Sequence, residues 1–215
     1  TDSTKNIKGV SYIGGLIGSA NASVTINNAS IEVTNKSNIQ ATGNYVGGHI
    51  GYIEGVLFVS GDAVNEGFVH SDSEYVGGII GYTKSNVTID GTAKNNANSV
   101  SGAAVKGKNY VGGIIGYAHS TSDDIVINLS TVINGDASNP SKGKIIATGA
   151  NGYVGGIVGR LNGSYVTIES SNYGSITANN VSETDSTGYI GGIIGQACNN
   201  VNIGTARNYG NVKGK

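Results

Sequence analysis

The chain has 215 residues, 36 of them glycine, with one proline, one cysteine, no methionine and no tryptophan; charged residues make up 13 % and the net charge is −1. No basic stripe is visible along the sequence, which argues against nucleic acid as a partner, and no apolar run approaches the roughly 18 residues needed to span a bilayer. Low charge combined with dense valine and isoleucine favours strands over disorder, and the lone Cys198 excludes an internal disulfide.

The chain opens on Thr1, without an initiator methionine or signal peptide, which reads as a processed chain or an excised segment. The first recognisable block is Asn6-Ile7-Lys8-Gly9, and Asn211-Val212-Lys213-Gly214 near the other end is the same element. Start and end thus fall at nearly the same phase of a repeat. The run Tyr12-Ile13-Gly14-Gly15-Leu16-Ile17-Gly18 follows, and it returns with small changes from Tyr45, Tyr75, Tyr110, Tyr153 and Tyr189. Successive tyrosines are separated by 33, 30, 35, 43 and 36 residues. Self-similarity at such a period marks a solenoid or propeller, so residues 1–215 read as one repeat domain.

After the first motif, Val24-Thr25-Ile26 alternates with the two-residue period of a half-buried strand. The same element returns as Val87-Thr88-Ile89, Ile125-Val126-Ile127, Val166-Thr167-Ile168 and Val201-Asn202-Ile203, and in the second repeat as the more apolar Val56-Leu57-Phe58-Val59. A third element follows: Asn65-Glu66-Gly67, Asn172-Tyr173-Gly174, Asn208-Tyr209-Gly210 and, more loosely, Asn28-Ala29-Ser30. Asn and Gly there suit a corner that visits left-handed backbone. Beyond it the length varies, most of all between Asn134 and Gly152, so loops should project from one edge. These features predict an all-β parallel β-helix (β-solenoid) of about six coils with three short strands per coil. The 30-residue repeat is too short for a propeller blade of about 40–50 residues. Three glycines in seven residues, each costing about 1 kcal/mol, exclude a helical repeat.

If the motif is one straight strand, its alternate side chains face opposite ways. Ile13, Gly15 and Ile17 and their counterparts then point inward. Tyr12, Gly14 and Leu16 point outward, because the Leu16 position admits His49 and should not be sealed in a dry core. In-register stacking would align Tyr12, Tyr45, Tyr75, Tyr110, Tyr153 and Tyr189 as an outward ladder, the candidate interaction surface. On the run Tyr-Val-Gly-Gly-Ile-Ile-Gly with its flanking Val-Thr-Ile and Asn-Tyr-Gly elements, the chain resembles the GLUG-motif repeat family from about Ile7 to Gly214. That family occurs in bacterial surface proteins, adhesin-like proteins and the non-catalytic regions of IgA-specific metallopeptidases. The resemblance implies a secreted or surface-displayed β-solenoid and carries no catalytic residue.

Chemistry is sparse. His49, His70 and His119 lack metal-ligand spacing and read as surface histidines. Glu54, Asp90 and Glu169 are the carboxylates a polysaccharide-active β-helix enzyme would use, each equally a solvated strand end. The pair Asp123-Asp124 is too little for a site. Cys198 reads as a small buried residue, and the seven Asn-x-Ser/Thr triplets, at Asn21, Asn28, Asn35, Asn86, Asn128, Asn162 and Asn180, read as composition. The expectation is no enzyme, no cofactor, no metal and no membrane span in this segment. The chain reads as an extracellular or cell-surface structural and adhesive module. It would contact glycans, host or cell-surface proteins, or other copies of itself in a filament.

Overall fold

A computed structural model describes residues 5–27, 32–99, 102–119, 126–150, 152–163, 165–178, 188–198 and 200–214. The chain is a parallel β-solenoid: every strand pairing is parallel and joins one coil to the next in register. The second coil shows the layout. Asn38–Ala41 lies in a seven-stranded first sheet, Val46–Gly47 in a six-stranded second sheet and Ile50–Ile53 in a six-stranded third sheet. Leu57–Val59 and Ala63–Asn65 both belong to a fourth sheet. A coil therefore has five strand segments, where three were expected. The Tyr-Val-Gly-Gly-Ile-Ile-Gly motif supplies two of them, because it bends after its first glycine instead of running straight.

That bend changes which side chains are inside. Val46, His49 and Ile50 are all fully buried, and Ile79, Ile114 and Ile157 occupy the His49 position in the core of the next three coils. The two-residue alternation restarts at the corner, so His49 and Ile50 both face inward although they are neighbours. The expectation that the Leu16/His49 column faces solvent is thus overturned. Only at the first coil is it exposed, where Leu16 has no coil beneath it.

Among the described residues the interior holds two aliphatic clusters, apart from a buried tyrosine column. One joins the third and fourth sheets through Ile50, Leu57, Ile80, Ile89, Ile115 and their equivalents. The other lies between the first and second sheets, around Ile39, Val69, Val105, Val111 and Ile145. Burial of each such side chain contributes about 1.5–3 kcal/mol.

Between the clusters runs a column of six asparagines, and it is the feature the sequence reading placed wrongly. Asn35, Asn65, Asn95, Asn134, Asn172 and Asn208 each end a strand segment, not a left-handed corner. Each Nδ2 donates to the Oδ1 of the next: 2.8 Å from Asn35 to Asn65, 3.0 Å to Asn95, 2.8 Å to Asn134, 2.7 Å to Asn172 and 2.7 Å to Asn208. The second N–H of Asn65, Asn134, Asn172 and Asn208 goes to the backbone carbonyl of Gly67, Gly143, Gly174 and Gly210. Amide ladders of this kind satisfy polar groups that would otherwise be costly to bury. The ladder also corrects the alignment of the first coil, whose rung is Asn35; Asn28-Ala29-Ser30 lies outside the described residues.

Two further expectations shift. In the fourth coil Ile127-Asn128-Leu129 pairs with Val87-Thr88-Ile89, so the outward position is Asn128 and not Val126. There the two segments of the fourth sheet fuse into one strand, Val126–Asn134, with a register shift between Leu129 and Val132 and Thr131 at φ 55°. Extra residues also do not gather at one phase. Those of 96–99, 102–104 and 135–144 fall between the fourth and first sheets, where an Asn98–Lys142 bridge joins the two stretches. Those between Ala178 and Tyr189 follow the first sheet instead.

Candidate functional site

The six motif tyrosines form a continuous ladder on the outside of the corner between the first and second sheets. Ring centroids are 4.8 Å apart for Tyr12–Tyr45, 5.1 Å for Tyr45–Tyr75 and 4.9 Å for Tyr75–Tyr110. The ladder continues at 4.8 Å for Tyr110–Tyr153 and 5.2 Å for Tyr153–Tyr189. All five pairs are stacked, with interplanar angles between 6° and 26°. Ring faces therefore look along the solenoid axis and cover one another. What reaches solvent is a row of ring edges and phenol hydroxyls, with Tyr12 and Tyr189 the most exposed.

The first four tyrosines occupy left-handed backbone, at φ 58°, 64°, 60° and 53° for Tyr12, Tyr45, Tyr75 and Tyr110. A non-glycine residue there costs roughly 1–2 kcal/mol. Ring stacking offsets about 0.5–1.5 kcal/mol of that per pair. The kink turns each ring away from the strand and onto its neighbours.

A second, inner tyrosine column supports the first. Tyr52, Tyr82 and Tyr117 are aligned by strand register and buried. Tyr52 and Tyr82 meet the outer rings edge-on, at 5.4 Å for Tyr45–Tyr52 and 5.1 Å for Tyr75–Tyr82. Tyr117 lies nearly parallel to Tyr110 at 5.1 Å. Burial pushes the phenols of Tyr45, Tyr75, Tyr82, Tyr110 and Tyr117 above their ordinary range, so these hydroxyls stay un-ionised through neutral pH. The sequence reading missed this column. Its signal was present: a tyrosine recurs seven positions after the motif tyrosine in the second, third and fourth coils.

In the fifth coil that column carries Arg160 and in the sixth Gln196. The Arg160 guanidinium lies 5.0 Å from the Tyr153 ring centroid, 5.3 Å from Tyr117 and 5.9 Å from Tyr110. Such contacts contribute about 0.5–2 kcal/mol each, more when desolvated. Lys84, ion-paired with Glu54 at 3.4 Å, lies 5.6 Å from the Tyr52 ring centroid. The face thus presents hydroxyls, aromatic edges and two cations held against rings. Tyr173 and Tyr209 make a separate stacked pair at 4.9 Å.

The remaining candidates are scattered. Glu54 follows the third-sheet strand of its coil, Asp90 follows the fourth-sheet strand Val87–Ile89, and Glu169 lies within the fourth-sheet strand Tyr165–Asn172 two coils further on. Among the described residues no group of three or more His, Cys, Asp or Glu side chains could hold a metal ion. Asp123-Asp124 lies outside the described residues, as does Asn180. Cys198 is exposed, contrary to its reading as a buried residue, because it follows the last third-sheet strand, which no further coil covers. Its Sγ accepts from Arg160 at 3.7 Å.

The histidines also differ from expectation. His70 is half-buried and donates from Nε2 to the Ala103 carbonyl at 2.8 Å. His119 shares a hydrogen bond between its Nδ1 and the Tyr117 hydroxyl at 2.9 Å. His49 is sealed in the core, its Nε2 on the Val33 carbonyl at 3.1 Å and its Nδ1 without a hydrogen-bond partner among the described residues. Burial holds its pKa below the ordinary value, with the Val33 contact opposing. A folded pKa below the unfolded one means that the unfolded chain takes up the proton first. Stability should therefore fall as pH drops below about 6.5, by at most about 1.4 kcal/mol per pH unit from this residue. The variant His49→Leu is expected to lose less stability than the parent between about pH 7 and about pH 5. Denaturant midpoints at both values test this; parallel losses would show that His49 does not titrate on unfolding.

Among the described residues no helix is long and apolar enough to cross a membrane. Compared with protein-family models, with curated proteins and with solved structures, the chain matches none of them.

Proposed function

We propose that this chain is a structural and adhesive module of an extracellular or cell-surface bacterial protein, of the GLUG-repeat type, and that it binds through the tyrosine face and not through a pocket. The observation that carries this reading is the uninterrupted six-ring ladder with its inner support. It is a long, preorganised strip of un-ionised phenols whose hydroxyl edges recur once per coil. Aromatic side chains that are already fixed lose little conformational entropy on contact, which favours their use in recognition. Because the ring faces cover one another, an extended partner meets hydroxyls and ring edges. Glycan chains and the rims of host or cell-surface proteins offer the matching hydrogen-bonding groups.

The test separates contact from support. A triple variant with Tyr45→Phe, Tyr75→Phe and Tyr110→Phe keeps the stack and removes the hydroxyls. On an array of glycans and matrix proteins the parent is expected to bind at least one class. The triple variant should lose that binding by about tenfold or more, at unchanged thermal stability. Absence of any binding by the parent, or equal binding by the variant, would overturn the proposal.

A further inference from the structure

The outward positions of the first sheet form a second strip, on a different face from the tyrosines. Strand register places Lys8 beside Gln40, Gln40 beside His70 and His70 beside Lys106. The column continues through Ile146 and Thr177 to Lys213. No strand residue of this sheet is a carboxylate. The charge is therefore all of one sign along the strip. Neither Lys8 nor Lys106 forms an ion pair among the described residues; the three ion pairs found belong to Lys36, Lys84 and Lys94.

Over its first four rungs the strip is the floor of an open cleft of about 380 Å³, lined by Lys8, Gln40, Thr42, His70, Asp72 and Lys106 among others. Strands in adjacent coils lie about 4.8 Å apart, so the two lysines stand roughly 14 Å from each other with hydrogen-bonding side chains between them. Asp72, on the turn after the strand, is the one carboxylate in the lining. His70 is fixed, its ring against Phe68 at a centroid distance of 4.4 Å and its Nε2–H on the Ala103 carbonyl. The floor is thus a pre-formed row of cation, amide, imidazole and cation.

The geometry points to this cleft as a binding site for an acidic glycan strand, a linear polyuronate lying along the solenoid axis. Carboxylates spaced along the polymer meet Lys8 and Lys106, and hydroxyls between them meet Gln40, His70 and Thr42. Charge complementarity selects an anion. Single-stranded nucleic acid is the poorer occupant. It requires aromatic platforms for its bases, and the one ring in the lining, His70, is already packed on Phe68. The site is independent of the tyrosine face and stands or falls apart from it.

The experiment titrates the full chain with alginate, a polyuronate, and with uncharged dextran at low salt. Alginate is expected to bind, dextran not, and binding should weaken as salt is raised. The double variant Lys8→Gln/Lys106→Gln should weaken alginate binding about tenfold or more, while Lys36→Gln/Lys94→Gln, with the same change in net charge away from the cleft, should stay within about twofold. Unchanged circular dichroism checks that both variants are folded. The proposal is overturned if alginate does not bind, if both double variants weaken binding equally, or if a single-stranded oligonucleotide binds more tightly than alginate.

Discussion

Replacing Gly78 with alanine is expected to unfold the middle of the solenoid. Gly78 is the second glycine of the third motif, at the bend between the second and third sheets. A Cβ built there would lie 2.1 Å from the Gly113 carbonyl oxygen of the next coil and 2.6 Å from the Asn95 side-chain carboxamide. Neither obstacle can swing away, since one is backbone at the bend between two paired strands and the other a rung of the asparagine ladder. The same collision recurs at Gly48, Gly113 and Gly156, so the glycine is required at every interior coil by close approach and not by its backbone angle. Ordinary overpacking costs about 1–3 kcal/mol; here both contacts are rigid, and more than about 4 kcal/mol is expected. Gly204 is the control, since an added Cβ meets the flexible Glu169 side chain at 3.3 Å and the Ile168 carbonyl oxygen only at an ordinary contact of 3.7 Å. Thermal unfolding followed by circular dichroism distinguishes the two. A Gly78→Ala variant melting within a few degrees of Gly204→Ala would show that the coils are not packed this closely.

The second large effect concerns Asn95. Truncation to alanine removes one rung and orphans two buried groups, an Nδ2 hydrogen of Asn65 and the Oδ1 of Asn134. Each orphan costs about 1–3 kcal/mol, so Asn95→Ala should destabilise by about 3–5 kcal/mol. Asn95→Asp has nearly the same shape and keeps an acceptor for Asn65. It confronts the Asn134 Oδ1 with a second acceptor, however, and a buried carboxylate resists ionisation. It should be at least as damaging at neutral pH and partly recover in acid, where a protonated carboxyl can donate to Asn134. Asn208→Ala, at the exposed last rung, orphans only one Nδ2 hydrogen, that of Asn172, and should cost less, about 1 kcal/mol. Denaturant titration of the three variants checks the ordering. Equal costs at Asn95 and Asn208 would mean that the ladder is not cooperative.

Much of this architecture is legible in the sequence, and the limits are instructive. The repeat, the parallel strands and the six-tyrosine ladder all follow from equally spaced identical residues, because stacking converts sequence period into spatial column. What misleads is the assumption of straightness. The motif bends, so alternation cannot be carried across it, and His49 goes from an expected surface position to the core. The asparagine column was visible as letters in three coils, but its role was not, since an asparagine at a corner and one in a buried amide ladder have the same neighbours in sequence. The lysine strip was invisible for another reason. Lys8, Gln40, His70 and Lys106 are about one repeat apart along the chain and become a strip only when the coils stack. The enzyme candidates Glu54, Asp90 and Glu169 show the converse: stacking leaves them apart.

The left-handed tyrosines have a consequence for how such a molecule comes into being. A single coil offsets only part of the backbone penalty at Tyr45 or Tyr75, because the ring meets only the edge of its own coil's Tyr52 or Tyr82. The rest is recovered when a neighbouring coil arrives and the rings close over each other, just as each asparagine finds its ladder partner only in the next turn. Isolated coils are therefore poor seeds. Growth by addition to an existing stack is favoured, and the free-energy profile rises over the first one or two turns before it descends. Folding of this kind advances as a front, with a slow start and rapid propagation.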